Sequence, residues 1–160
     1  MSLEALCWPD TADQPAPANH PYRSALWLLV RHSQLAVLAA RVPGVTGPDD
    51  EGAAWPWLDL DALAEALCAH DAHCAAWADY ERRRPAPRDE DAYDRWEAAG
   101  PSTTPAASAV GVMSGSERTR LRLLAMFSTV RVPLRASDVT SFDVAGQALL
   151  ADWCEAVQAV

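Results

Sequence analysis

The fold class turns on the stretch "LDALAEALCAHDAHCAAW", Leu60 to Trp77. Leu60, Leu63, Leu67, His70, Cys74 and Trp77 recur in it at steps of 3, 4, 3, 4 and 3. That spacing places all six on one face of an α-helix and excludes a strand, whose faces alternate every second residue. It predicts a single apolar seam facing a partner helix. Asp59 or Asp61 is the expected N-cap, and the charged run "YERRRPAPRDED" (80–91) ends the helix.

Partner helices are legible on both sides of this seam. Pro21 suits a first helical position. Tyr22, Leu26, Leu29 and Val30 then share a face, whereas Leu35, Leu38 and Val42 lie on the opposite one. The phase slip predicts a break near Ser33, which can cap a second short helix. "PGVTGPDDEGAAWPW" (43–57) is a loop by its glycine and proline content. "DEDAYDRWEAAG" (89–100) is a short helix opened by acids and closed by Gly100, with Tyr93 and Trp96 one turn apart. "PSTTPAASAVGV" (101–112) has the composition of a linker. Ser114 and Glu117 have capping-box spacing at the head of the next helix. Its apolar arc holds Leu121, Leu123, Leu124 and Phe127, which leaves Arg118, Arg122 and Thr129 as the expected wet stripe. Arg120 falls inside the apolar arc. "VRVPL" (130–134) is an extended connector, since Pro133 cannot donate to a ladder. A last helix from about Asp143 to Val160 carries Gly146, Leu149, Leu150, Trp153, Val157 and Val160 on one side.

The expected fold is therefore all-α: a compact bundle of five or six helices with little or no β-structure, at most a short extended segment near 130–134. The organisation is a flexible leader over 1–20, a helical core region over 21–100, the linker over 101–112, and a C-terminal helical hairpin over 113–160 packed on the core region. The seam helix and the C-terminal helix are the expected central pair. Trp77, Trp153, Leu67, Leu124, Phe127 and Leu150 are the expected buried residues.

Composition narrows the function classes. A chain of 160 residues supports one core of ordinary size. Its formal net charge of −9 disfavours general nucleic-acid binding, which needs clustered cations. The charge is uneven: residues 1–113 sum to −9, residues 114–136 to +4 and residues 137–160 to −4. Lysine is absent and alanine and arginine abound, as a GC-rich bacterial genome would dictate. "MSLEALCWPD" has neither the basic nor the apolar region of a signal peptide, and no apolar run approaches the roughly 20 residues of a membrane span. The expected location is the cytoplasm, with no membrane contact.

The chemistry-bearing candidates are few. Cys68, His70, His73 and Cys74 crowd around Asp71, but a helix points Cys68 and His73 away from each other, so they cannot form one four-ligand site. The pair His70 and Cys74 remains, as a zinc half-site or as part of the seam. The seam reading is preferred, because free cysteine packs as a small hydrophobe and one carbonyl can satisfy a histidine. Asp71 lies near the seam and needs water or an arginine; an edge position in water is the preferred reading, and Arg120 is one conceivable partner. "GVMSGS" (111–116) lacks the order of a nucleophile elbow, so Ser114 and Ser116 read as caps. No phosphate loop or dinucleotide fingerprint occurs, and no cofactor is predicted beyond a possible zinc.

These observations favour a non-enzymatic, acidic, helical interaction or regulatory protein, docking on a protein partner or on itself. Arg118, Arg122, Arg131 and Arg135 are the candidate partner-binding residues. The alternatives are a metal-binding protein or enzyme built around His70 and Cys74, and a nucleic-acid contact through the basic segment 118–135.

Overall fold

A computed structural model describes residues 21–47, 57–86, 88–140 and 142–158. The leader over 1–20, most of the 43–57 loop and Val160 lie outside the described residues. Among those described the chain is all-α, with eight helices: α1 (Pro21–Arg31), α2 (Gln34–Ala39), α3 (Leu60–Arg82), α4 (Glu90–Ala98), α5 (Pro105–Gly111), α6 (Gly115–Ala125), α7 (Ala136–Thr140) and α8 (Val144–Gln158). Two residue pairs, Thr46 with Leu58 and Gly47 with Trp57, form a minimal antiparallel bridge of β1 (Thr46–Gly47) and β2 (Trp57–Leu58). This bridge closes the 43–57 loop, whereas the 130–134 segment has no strand partner.

Local chemistry sets most of the boundaries. Asp59 caps α3 by accepting from the Ala62 amide at 2.8 Å. Asp61, the other candidate, instead accepts from the Thr129 amide at 2.8 Å and its hydroxyl at 2.9 Å. Ser114 and Glu117 form the expected capping box at the head of α6. The Asp143 carboxylate accepts from the Gly146 amide at 2.8 Å and so opens α8. Ser33 marks the α1–α2 break as expected, but it sits in helical backbone without a side-chain cap bond.

The linker composition of 101–112 conceals α5. Thr104 accepts from the Ala107 amide at 3.2 Å and Pro105 fills the first turn, a complete helix start. Ala107 and Val110 are buried against α3. Low charge, read as a sign of a linker, here reflects a short helix pressed into the core.

The core lies around α6. Leu121, Leu123, Leu124 and Ala125 are all fully buried, and α6 packs against α2, α3, α7 and α8. The expected central pair is thus corrected: α3 packs on α5 and α6, and α8 packs on α1 and α6, with α6 between them. Leu63 and Leu67 of the seam reach this core, together with Leu28, Leu35 and Leu149. Leu150, Trp153 and Phe127 pack against it while staying partly exposed. The Trp153 indole donates to the Leu123 carbonyl at 2.8 Å, which fixes α8 to α6.

The faces of α1 and α3 differ from the periodic reading. In α1 the buried residues are Ser24 to Leu28, including Trp27, and Val30 is exposed. Here α1 lies between α2 and α8 and is covered on more than one side. In α3 the seam is buried only to Leu67; His70 is half-buried, Cys74 exposed and Trp77 46% exposed, because α3 outruns the core. No described helix is long and apolar enough to cross a membrane.

Gly146 is sterically required. A Cβ on Gly146 would stand 2.5 Å from the Phe142 ring, whereas one on Gly115 would meet nothing within 4 Å. Gly146→Ala is expected to destabilise by about 1–3 kcal/mol through overpacking. Gly115→Ala is expected to be neutral or stabilising by up to about 1 kcal/mol. Urea unfolding of both variants measures the contrast.

Candidate functional site

The middle of α3 carries the densest chemistry. His70 and Cys74 stand one turn apart, with Nε2 and Sγ at 3.6 Å. The imidazole lies along Gly111 of α5, where a Cβ would be 3.5 Å from both Cε1 and Nδ1. The same packing explains its titration. Loss of solvent first, and the Arg118 guanidinium second, push the His70 pKa below its ordinary value. His73 turns to the other side and contacts the Ser102 carbonyl at 3.1 Å. Cys68 is close to the Arg131 carbonyl, and Cys68, Cys74 and Cys154 are free thiols. No three of the described His, Cys, Asp and Glu side chains converge into a ligand set. Cys74 is exposed, so it is not the core residue that the seam predicts.

Beside this pair, Asp71 has an arginine partner, but it is Arg122 and not Arg120. Arg122 Nη2 donates to Asp71 Oδ1 at 2.6 Å, and Nη1 donates to the Pro133 carbonyl at 3.2 Å. Arg122 is buried, in contrast to the wet stripe expected of it. It ties α3 and α6 to the connector after α6. Arg120 is paired elsewhere, donating to Asp143 at 2.7 Å beside the head of α8. Arg118 donates to the Met113 carbonyl. Of the proposed binding arginines, Arg131 and Arg135 are exposed, and Arg122 is committed to the fold.

A second feature lies at the outer end of α3. Ala72, Ala75, Ala76, Trp77 and Ala78 are exposed there, and α4 meets the last turns of α3 at Tyr80. Trp77 meets Tyr80 at 5.2 Å between centroids, and Tyr80 stacks on Trp96 of α4 at 4.2 Å. Trp96 meets Tyr93 at 5.3 Å. Arg84 completes the group: its guanidinium stands 5.2 Å from the Trp96 ring centre, and it donates to the Tyr93 hydroxyl at 3.1 Å. That hydrogen bond raises the Arg84 pKa further. Arg84, Pro85, Glu90, Tyr93 and Asp94 line an open cleft of about 660 Å³. The sequence signals the Tyr93–Trp96 pair through its spacing. The wider group depends on the turn after α3, for which no periodicity exists.

No family model matches the chain, and neither a curated protein nor a solved structure matches it.

Two predictions follow from the polar contacts. Asp71→Ala leaves the buried Arg122 guanidinium with one carbonyl partner and is expected to cost about 1–3 kcal/mol. Arg122→Met removes the charge and refills the apolar volume, so it should cost less in the same chemical denaturation experiment. The second concerns acid. Glu117 is held below the ordinary carboxylate range first by the Ser114 backbone amide, and Asp143 likewise by the Gly146 amide. Depressed folded-state pKa values contribute stability that is complete above the unfolded values, about 4, and is lost as pH falls through the folded ones. Unfolding free energy should therefore decline below about pH 4.5, and less steeply in Glu117→Gln combined with Asp143→Asn.

Proposed function

We propose that this chain is a non-enzymatic interaction or regulatory protein of a bacterial cytoplasm, and that its docking surface is the outer half of α3 together with α4. The observation that carries this reading is the exposure of Ala72 and of Ala75 to Asp79, about two helical turns with little beyond a tryptophan and alanines on them. Beyond the core only Tyr80, covered by Trp96 of α4, is buried among the described residues of this end of the helix, and the other apolar side chains there stay open to solvent. Trp77 at 46% exposure beside Tyr80, Trp96, Tyr93 and Arg84 supplies the residue types that dominate interface energetics.

The partner that fits this surface is a second copy of the chain. The rim carries both signs in blocks, with Arg82, Arg83, Arg84 and Arg88 followed by Asp89, Glu90 and Asp91. A two-fold interface needs a self-complementary patch, and adjacent blocks of opposite sign provide one when two copies run antiparallel. The basic segment lends weaker support to nucleic acid, because Arg118, Arg120 and Arg122 donate to groups of the fold.

Sedimentation velocity tests the reading. The wild type should sediment as a dimer of the 17.3 kDa chain at micromolar concentration. Ala76→Glu, an exposed substitution, should weaken association by about tenfold or more, from burying an unpaired charge. A monomer at all accessible concentrations, or association indifferent to Ala76→Glu, would overturn it.

A further inference from the structure

Where α1, α2, α6 and α8 meet, donor side chains converge in a way that the docking surface does not use. Arg31, His32, Ser33, Gln34 and Arg120 line a cavity of about 230 Å³ there, and Leu35, Ala145 and Leu149 supply its apolar part. Every polar side chain in this lining can donate a hydrogen bond, and no aspartate or glutamate is among them. An apolar hollow with a few convergent polar groups is the usual form of a small-molecule site. We infer that this cavity binds a small organic carboxylate, its charged end on Arg31 and Arg120 and its short apolar body against Leu35 and Leu149.

The acids of the neighbourhood stand outside the lining and hold its cations in place. Arg31 Nε donates to Asp152 at 2.9 Å, His32 Nε2 meets the same oxygen at 2.7 Å, and the Arg31 guanidinium stands 4.9 Å from the Trp27 ring centre. Arg120 Nη2 donates to Asp143 at 2.7 Å. A guanidinium has five N–H donors, so neither ion pair exhausts its arginine. Arg120 carries the inference furthest: its side chain is only 14% exposed, and its buried Nε has no hydrogen-bond partner among the described residues. A charge so enclosed and incompletely satisfied attracts an anion more strongly than one in water. At the head of α2 the Ser33 hydroxyl makes no cap bond, so it is not committed to the helix. The cavity falls short of the roughly 300–1,000 Å³ of sites for drug-sized ligands, which suits an acid of a few carbons and excludes a nucleotide.

Butyrate is the probe, followed through the backbone amide shifts of the full chain by heteronuclear NMR. It should shift the signals of Ser33, Gln34 and Ala145 saturably, with a dissociation constant of about the millimolar order expected for so small a ligand. Butyramide, the neutral isostere, should bind at least about tenfold more weakly, because it lacks the charge-assisted bonds. Inorganic phosphate has the charge without the apolar body and should also bind more weakly. Gln34→Glu sets a carboxylate in the lining at an exposed position and should weaken butyrate by about tenfold or more through like-charge repulsion. Arg120→Met should weaken it to a similar degree, and Arg23→Gln, exposed and outside the lining, should leave it unchanged. No saturable shift at these amides, equal affinity for butyrate and butyramide, or binding indifferent to Gln34→Glu would overturn the inference. Phosphate binding tighter than butyrate would overturn the assignment to a carboxylate. Because Gln34→Glu keeps the Arg120–Asp143 pair, it tests the site even where Arg120→Met disturbs the head of α8. The inference stands apart from self-association: a monomer that binds butyrate refutes only the dimer, and a dimer that fails to bind refutes only the carboxylate site.

Discussion

Leu121 to Ala125, five consecutive residues of α6, are all buried, and the arrangement of the other helices follows from that constraint. A run buried without interruption occupies more than a full turn, so neighbours must cover the helix on every side. α2, α3, α7 and α8 supply that cover. The run also contains Arg122, and a charge in such a place needs partners from whichever elements lie over it. Asp71 of α3 and the carbonyl of Pro133 meet it. One side chain therefore couples the register of α3 to the path of the chain leaving α6.

The ends of α6 are tied by polar contacts of a different kind. Glu117 accepts from the Ser114 amide and from Arg41, which joins the first turn to the end of α2. Arg120 meets Asp143 at the head of α8, and Trp153 returns from α8 to the Leu123 carbonyl. Between α1 and α8, Asp152 receives Arg31 at 2.9 Å and His32 at 2.7 Å. Apolar burial defines the centre, and these contacts set how each surrounding helix is oriented on it.

The all-α class was legible because Leu60, Leu63 and Leu67 keep helical spacing and Ser114 with Glu117 spells a helix start. Other features depend on information that periodicity does not carry. The spacing of His70, Cys74 and Trp77 continues the seam, but whether a face is covered depends on how far the neighbouring helices extend. Arg122 reads as wet on a helical projection, because a projection does not show that a partner carboxylate stands opposite. α5 was hidden by a composition shared between linkers and small buried helices, although Thr104 and Pro105 mark its start. The pairing of His70 with Cys74 was legible from i, i+4 spacing alone; the donor separation required atoms.

The aromatic group at the outer end of α3 has a dynamic consequence. α4 buries no residue fully, and it is held by the Tyr80–Trp96 stack, Arg84 and one indole bond to the Tyr80 carbonyl. Opening it uncovers this aromatic group but none of the core around α6, so it should cost less than global unfolding. The amides of α4 should exchange with solvent hydrogen on a much faster schedule than those of α6. Protection against exchange should therefore fall from α6 at the centre to α4 at the periphery.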